Sequence, residues 1–90
     1  MDPRKQLGLN VARLRHLADM TQEELCEAAE IDRSYLQRIE TGRMNPSFQV
    51  LYKIGKALHA SWNELLFQID LHPRPQSLRE DSPTSRRRKR

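Results

Sequence analysis

The stretch DRSYLQRIETG, residues 32–42, joins three large apolar residues to side chains that donate and accept hydrogen bonds. On a helical wheel of ~100° per residue, Tyr35, Leu36 and Ile39 fall on one arc. The opposite arc carries two guanidinium groups and no carboxylate, and it consists of Arg33, Ser34, Gln37, Arg38 and Thr41. Such a helix buries its apolar arc and offers its polar arc to a partner that forms hydrogen bonds.

Two interpretations of this polar arc compete. A polar helix face is often only solvated, but a solvated face usually mixes charge signs, and this arc does not. The helix also follows another short helix after a gap of two residues, Glu30 and Ile31, which is the helix-turn-helix arrangement. Arginine reaches guanine, glutamine reaches adenine and serine reaches several bases. The pattern therefore predicts a helix that enters the major groove of DNA.

Five short helices are predicted to position the arc. Apolar residues at helical spacing indicate helices over residues 5–19, 22–29, 33–41 and 47–58, and a fifth through WNELLFQI, residues 62–69. Helix ends are marked by Thr21 with Glu24 as a capping box, by Asp32 and Ser61 as N-caps, and by Gly42 after the third helix. We expect an all-α, compact five-helix domain over residues 1–70.

The fourth predicted helix has an apolar stripe along one side. The stripe contains Phe48, Leu51, Ile54 and Leu58. Gly55 lies in the same stripe, where its missing side chain would let another helix come close.

The charge of the chain is divided unevenly. The 90 residues carry a net charge of +4, but residues 1–70 sum to −1 and residues 71–90 to +5. The second segment also holds three of the five prolines, so we expect it to be a disordered basic tail. Its final RRRKR has three interpretations: a non-specific phosphate contact, a solubilising tail, or a nuclear-localisation run.

Several classes of protein find no support in the sequence. One cysteine, Cys26, cannot form an internal disulfide, and no apolar run approaches the ~18 residues of a membrane span. No secretory signal pattern is present, so we expect a cytoplasmic protein. His16, His59 and His72 lack metal-ligand spacing with Cys26, which we interpret as a buried small hydrophobe. With no catalytic constellation, we expect neither an enzyme nor a cofactor.

Two segments resemble the XRE-type helix-turn-helix family of phage repressors and Cro-like regulators. They are TQEELCEAAEIDRSYLQRIETGRMNPS and LYKIGKALHASWNELL. The resemblance covers residues 6–66, and its motifs agree in order and spacing: TQxEL, RIE-T-G, NPS and KALxxSWNELL. It implies a DNA-binding fold like that of lambda repressor. Within the family, DRSYLQRIETGRMNPS is most similar to controller proteins of restriction–modification systems.

The resemblance also implies roles for particular residues. Gln22 matches a glutamine that fixes helix two on a phosphate, and Arg15 with Glu40 matches a structural salt bridge. The positions that meet bases or flanking phosphates are Arg33, Ser34, Gln37 and Arg38. The loop that holds the DNA backbone is matched by Arg43, Asn45 and Ser47. Members usually bind as symmetric dimers, often through the last helix.

Two positions depart from the family pattern. Glu30 stands where the family usually has glycine, and a positive φ there would cost ~1 kcal/mol. Cys26 replaces the usual alanine, and its small side chain still allows helices two and three to approach each other.

The fifth predicted helix has more apolar side chains than one face can bury. We expect part of the set to be core and part to be a dimer contact, with docking onto helix one as the alternative. The candidate dimer residues are Trp62, Leu65, Phe67 and Ile69.

These observations predict a regulator of transcription that binds double-stranded DNA as a homodimer on a palindromic operator. Restriction–modification genes are one possible target, although phage repressors and antitoxins share the scaffold. The competing hypothesis is a protein-interaction module of the same fold, for example an antitoxin that binds a toxin.

Overall fold

The computed structural model describes residues 2–70, and within them it contains five helices and no strand. The helices are α1 (Pro3–Leu17), α2 (Gln22–Ala29), α3 (Arg33–Glu40), α4 (Phe48–Leu58) and α5 (Trp62–Leu65). The prediction of an all-α, five-helix fold is confirmed. The basic tail predicted over residues 71–90 lies outside the described residues. No helix in the described part of the chain is long and apolar enough to cross a bilayer.

The predicted helix starts are present with their hydrogen bonds. The Thr21 hydroxyl accepts from the Glu24 amide at 3.0 Å, and the Glu24 carboxylate accepts from the Thr21 amide at 2.8 Å. Ser61 and Glu64 form the same reciprocal box at the start of α5. Asp32 accepts from the Ser34 amide at 3.1 Å. These bonds satisfy backbone donors that have no partner within the helix.

Helices α2 and α3 are each followed by a residue in the left-handed backbone conformation, with positive φ. Gly42 follows α3 with φ of +79°, as predicted for a glycine after a helix. Glu30 ends α2 with φ of +58°, so the strain expected from a non-glycine residue at this position is present. Asp32 caps α3 only two residues later, and α2 and α3 pack against each other across this turn.

The core lies where α1, α2, α3, α4 and α5 meet. Its largest fully buried apolar side chains are Leu25, Leu36, Ile39, Ile54, Leu65 and Val11. Gly55 brings α4 against α5, because a Cβ there would lie 2.9 Å from Leu65 Cδ1. Gly8 brings α1 onto the end of α3, since its Cβ would lie 2.4 Å from the carbonyl oxygen of Ile39.

The carboxyl-terminal half differs from the sequence expectations at two places. Phe48, on the predicted apolar side of helix four, is not buried: it is the first residue of α4 and is 73% exposed, stacked on Trp62 with ring centroids 5.1 Å apart. The fifth helix ends at Leu65 rather than continuing to residue 69. The chain turns after Leu66, and Gln68 adopts φ of +62°, which no continuing helix allows.

Candidate nucleic-acid interface

Helix α3 divides as its sequence predicts. Leu36 and Ile39 are fully buried, and Tyr35 is partly buried against the same core. All five members of the polar arc are exposed: Arg33, Ser34, Gln37, Arg38 and Thr41. The core therefore fixes the rotation of α3 about its axis, and that rotation turns the arc to solvent.

Most of the predicted DNA-binding residues lie together. One shallow, open depression spans the start of α2, the polar arc of α3 and the loop that follows α3. Among its lining residues are Gln22, Ser34, Gln37, Arg38 and Arg43. The tertiary structure thus joins residues separated by up to 21 positions into one hydrogen-bonding surface.

Three predicted residues lie away from that depression. Arg33 lines a second depression on the α2 side, together with Glu23 and Glu27. Asn45 is exposed in the loop between α3 and α4. The Ser47 hydroxyl accepts from the Val50 amide at 3.2 Å, so Ser47 caps α4.

Two of the side chains that line the first depression, Ser34 and Gln22, have hydrogen-bond partners within the protein. The Ser34 hydroxyl donates to an Asp32 carboxylate oxygen at 2.6 Å. The Gln22 amide donates to Glu40 Oε1 at 3.0 Å, which leaves the Gln22 carbonyl oxygen with no bond in residues 2–70. Both side chains are therefore held in place by protein contacts.

A buried ion pair supports the interface from beneath. Arg15 of α1 donates to the two carboxylate oxygens of Glu40, through Nε at 2.8 Å and Nη2 at 3.1 Å. Its Nη1 donates to the carbonyl oxygen of Met20 at 3.0 Å. The side chains of Arg15 and Glu40 are only 11% and 6% exposed. Charges this far from water require such bidentate pairing, so the pair ties α3 to α1 at a defined distance.

Two side chains of the α2–α3 unit have pKa values that are shifted by their surroundings. The Ser34 hydroxyl bond, with the Ser34 amide, lowers the pKa of the Asp32 carboxyl, so the α3 cap is ionised at neutral pH. Burial raises the pKa of the Cys26 thiol, which keeps it protonated and a weak nucleophile. Within residues 2–70 no group of three or more His, Cys, Asp or Glu side chains could hold a metal ion.

The α4–α5 end presents a different kind of surface. Leu65, predicted as a dimer residue, is 1% exposed and belongs to the core, whereas its neighbour Leu66 is 39% exposed. Ile69 is partly buried against the core. Five large apolar side chains of α4, α5 and the residues just after α5 are exposed, and we call them together the exposed apolar patch: Phe48, Tyr52, Trp62, Leu66 and Phe67.

Sequence reasoning missed Phe48 and Tyr52 as surface residues. They lie one helical turn apart on α4, ~100° and ~140° around the helix axis from the centre of the stripe between Ile54 and Leu58. That displacement was the available signal.

Helix α1 holds the chain that follows α5. Asn10 is 1% exposed, and its amide donates to the carbonyl oxygens of Leu65 at 2.8 Å and Phe67 at 2.9 Å. The Asn10 carbonyl oxygen accepts from the Gln6 amide at 3.0 Å. The guanidinium of Arg13 lies 5.2 Å from the centre of the Phe67 ring, which places it for a cation–π contact. Phe67 is thus docked on helix one and remains half exposed.

Comparison with known proteins agrees with this architecture. Residues 11–65 match the Helix-turn-helix family. The chain is 41% identical over 73 residues to the uncharacterized HTH-type transcriptional regulator y4dJ of Sinorhizobium fredii, which covers 81% of this chain and 95% of that protein.

Two of the proteins whose solved structures resemble this fold are 31–33% identical to the chain in sequence. One is the clp gene regulator ClgR of Corynebacterium glutamicum, with a TM-score of 0.68 and 33% identity, covering 70% of this chain and 81% of that one. The other is the restriction–modification controller protein C.AhdI of Aeromonas hydrophila, with a TM-score of 0.67 and 31% identity, covering 69% and 94%. The chain belongs to the XRE-type helix-turn-helix family of DNA-binding transcriptional regulators.

Proposed function

We propose that this protein reads a specific double-stranded DNA sequence with α3 and regulates transcription as a homodimer on a palindromic operator. The observation that carries the proposal is the exposed polar arc of α3, with the shallow depression that Gln22, Gln37, Arg38 and Arg43 line. Arginine and glutamine side chains on the outer face of a recognition helix reach base edges in the major groove. A protein acting on operator DNA would work in the cytoplasm.

The roles divide between bases and phosphates. Our candidates for base contacts are Arg33 on the first turn of α3, with Gln37 and Arg38 on the second. Gln22 at the start of α2, with Arg43, Asn45 and Ser47 around the following loop, would hold the DNA backbone. Phosphate contacts on both sides of a recognition helix fix its register in the groove.

The exposed apolar patch supports the dimer. Phe48 and Trp62 stack on each other yet remain 73% and 39% exposed. We propose that a second copy of the chain covers them, together with Leu66, Phe67 and Ile69. A two-fold symmetric contact of this kind places two α3 helices on half-sites about one helical turn of DNA apart.

The identity of the regulated genes is the most specific part of the proposal. The chain spans 94% of the controller protein C.AhdI at 31% identity. We propose restriction–modification genes as the target. Selecting bound sites and finding them upstream of such genes would support this assignment, whereas sites confined to other genes would contradict it.

Selection from a random duplex pool at about physiological salt tests the main proposal. We expect an enriched palindrome with two half-sites. Arg38→Ala should weaken operator binding by ~1–3 kcal/mol and relax the preference at one position of each half-site. Lys56→Ala is the matched control, because Lys56 is an exposed cation in the groove between α2 and α4. Unchanged site preference in Arg38→Ala would refute the role given to Arg38.

Sedimentation over a dilution series tests the dimer. Phe48→Ala and Trp62→Ala should each raise the dimer dissociation constant at least tenfold, because both remove aromatic surface from the contact. Leu17→Ala is the control: Leu17 is 75% exposed, but it lies on α1 outside the patch. A wild-type chain that stays monomeric at micromolar concentration and on the selected DNA would refute the dimer.

The basic segment is proposed to add affinity without specificity. Residues 71–90 carry a net charge of +5. Their removal should weaken binding to all sequences alike and flatten the salt dependence, because fewer counterions are released. A loss confined to the operator would contradict this role.

A protein-interaction module is the second candidate, favoured by the exposed stack of Phe48 and Trp62. Interfaces between proteins are rich in aromatic anchors. Salt separates the two functions, since phosphate contacts impose a steep salt dependence on DNA binding. Binding to duplexes that shows no enriched motif would favour the interaction module.

A further inference from the structure

Arg33 is the cation of the polar arc that is paired within the protein. Its Nη1 lies 3.3 Å from Oε2 of Glu23 on α2, and the two side chains are 57% and 74% exposed. Arg38 forms no ion pair within residues 2–70. The two arginines of one arc are therefore in different electrostatic states before any DNA is present.

Arg33 does not stabilise α3 from its position in the helix. Arg33 is the first residue of the helix, where the exposed backbone amides make a positive charge unfavourable. Asp32 caps the backbone there, and Glu23 supplies a second carboxylate from another helix. A cation at the amino end of α3 is thus better explained by what it contacts outside the protein, with Glu23 as its partner in the free state.

Phosphates and bases compete differently against such a carboxylate. Binding to any DNA sequence gains affinity from each cation that neutralises a phosphate. A cation already paired with Glu23 has less to gain, and the carboxylate repels an approaching phosphate. The pair uses only Nη1 of Arg33, so the other N–H groups of the guanidinium can donate to guanine O6 and N7 while the pair is kept, whereas a phosphate contact has to compete with the carboxylate. The pair therefore lowers the affinity for unrelated DNA more than the affinity for the operator.

We propose that Glu23 is a specificity-determining residue, which restrains Arg33 from phosphate contacts and leaves it able to contact a base of the proper half-site. The inference rests on the proposed function, because it requires that α3 reads DNA. It goes beyond that function, because an acidic residue of α2 would set the ratio of specific to non-specific affinity without contacting a base itself.

Charge-neutralising variants test the restraint with a matched control. Glu23→Gln and Glu27→Gln make the same charge change on the same helix, and both residues line the depression beside Arg33. Glu27 has no ion pair within residues 2–70. Affinities for the selected operator and for an unrelated duplex of equal length are measured over a salt series.

We expect Glu23→Gln to raise the affinity for the unrelated duplex by about three- to fivefold and to steepen its salt dependence. Operator affinity should rise less, so the specificity ratio should fall. Glu27→Gln should raise both affinities by the same factor. Equal shifts of the specificity ratio in Glu23→Gln and Glu27→Gln would overturn the proposal. A Glu23→Gln variant that loses operator affinity, with its affinity for unrelated DNA unchanged, would overturn it as well.

A double-mutant cycle separates the ion pair from a general charge effect. In an Arg33→Gln background, Glu23→Gln should leave the specificity ratio unchanged. A fall of the ratio that persists without Arg33 would overturn the restraint. A wild-type chain with no sequence preference would refute the proposed function itself. A selective wild type in which Glu23→Gln behaves like Glu27→Gln would refute only the role of Glu23.

Discussion

The α2–α3 face and the α4–α5 end expose opposite chemistry and are held in place by different means. The polar arc of α3 rests on a buried ion pair, in which Glu40 binds Arg15 and also accepts from Gln22. The exposed apolar patch rests on packing and on the amide of Asn10, which binds the chain after α5. One surface suits a polyanion with hydrogen-bonding groups, and the other suits an apolar partner.

Helix α1 links the two surfaces. Arg15 and Asn10 lie five positions apart on it, about 140° around its axis, so they reach different neighbours. Arg15 reaches α3 and Asn10 reaches the end of α5. The comparison teaches that a helix outside both surfaces sets the orientation of each, and that each can be disturbed separately.

The largest expected effect comes from removing Glu40. Glu40→Ala leaves the Arg15 guanidinium buried without its carboxylate and frees Gln22, so we expect a loss of ~3–5 kcal/mol in the free energy of unfolding. Urea unfolding measures it. The double variant Arg15→Met, Glu40→Leu is the control and should recover much of the loss, because no buried charge remains. A loss below ~1 kcal/mol in Glu40→Ala would mean that the pair does not hold the α2–α3 face.

Asn10→Ala should disturb the other end. It leaves the carbonyl oxygens of Leu65 and Phe67 without donors, which should cost ~2 kcal/mol of unfolding free energy and weaken the proposed dimer. Gln6→Ala is the control, since it removes one bond to Asn10 and none to α5. Unfolding curves and sedimentation measure the two effects. Equal losses in both variants would contradict a special role for the Asn10 amide.

Each region also contains one strained helix end. Glu30 ends α2 and His59 ends α4, with φ of +58° and +54°. Glycine has no Cβ penalty in this conformation, so Glu30→Gly and His59→Gly should each stabilise the protein by ~0.5–1 kcal/mol, net of the greater freedom of the unfolded chain. Glu27→Gly, inside α2, should instead cost ~1 kcal/mol. Thermal unfolding gives all three values, and a stabilised Glu27→Gly would contradict the explanation.

The smallest expected effect is a difference in acid sensitivity between the two regions. The Ser34 hydroxyl bond, with the Ser34 amide, lowers the pKa of Asp32 below its ordinary 3.8. The cap therefore contributes fully above pH 3.8, and its contribution is lost as the pH falls through the lowered pKa. Ser47 and Ser61, which cap α4 and α5, do not titrate there. Backbone NMR in acid should show that the Ser34 amide loses its hydrogen bond to Asp32 while the Val50 amide keeps its bond to Ser47. Loss of both bonds at the same pH would contradict this prediction. In Asp32→Ser the difference should vanish.

Local sequence was enough to predict most of the recognition face. The caps at Thr21, Asp32 and Ser61 depend on hydrogen bonds that span two or three residues. The split of α3 into buried and exposed arcs follows from a period of 3.6 residues. Both features arise within one helix, so they can be read from residue types and spacing.

Only the tertiary structure decided the α4–α5 end and the pairings between helices. Leu65 is buried and Leu66 is exposed although they are adjacent leucines, because α4 covers one of them at Gly55. The fifth helix stops early where Asn10, 55 residues before Leu65, binds its carbonyl oxygens. The sequence by itself determined the helices and the polar arc. Burial of Leu65 and the Glu23–Arg33 pair depend on residues of other helices, which no local pattern encodes.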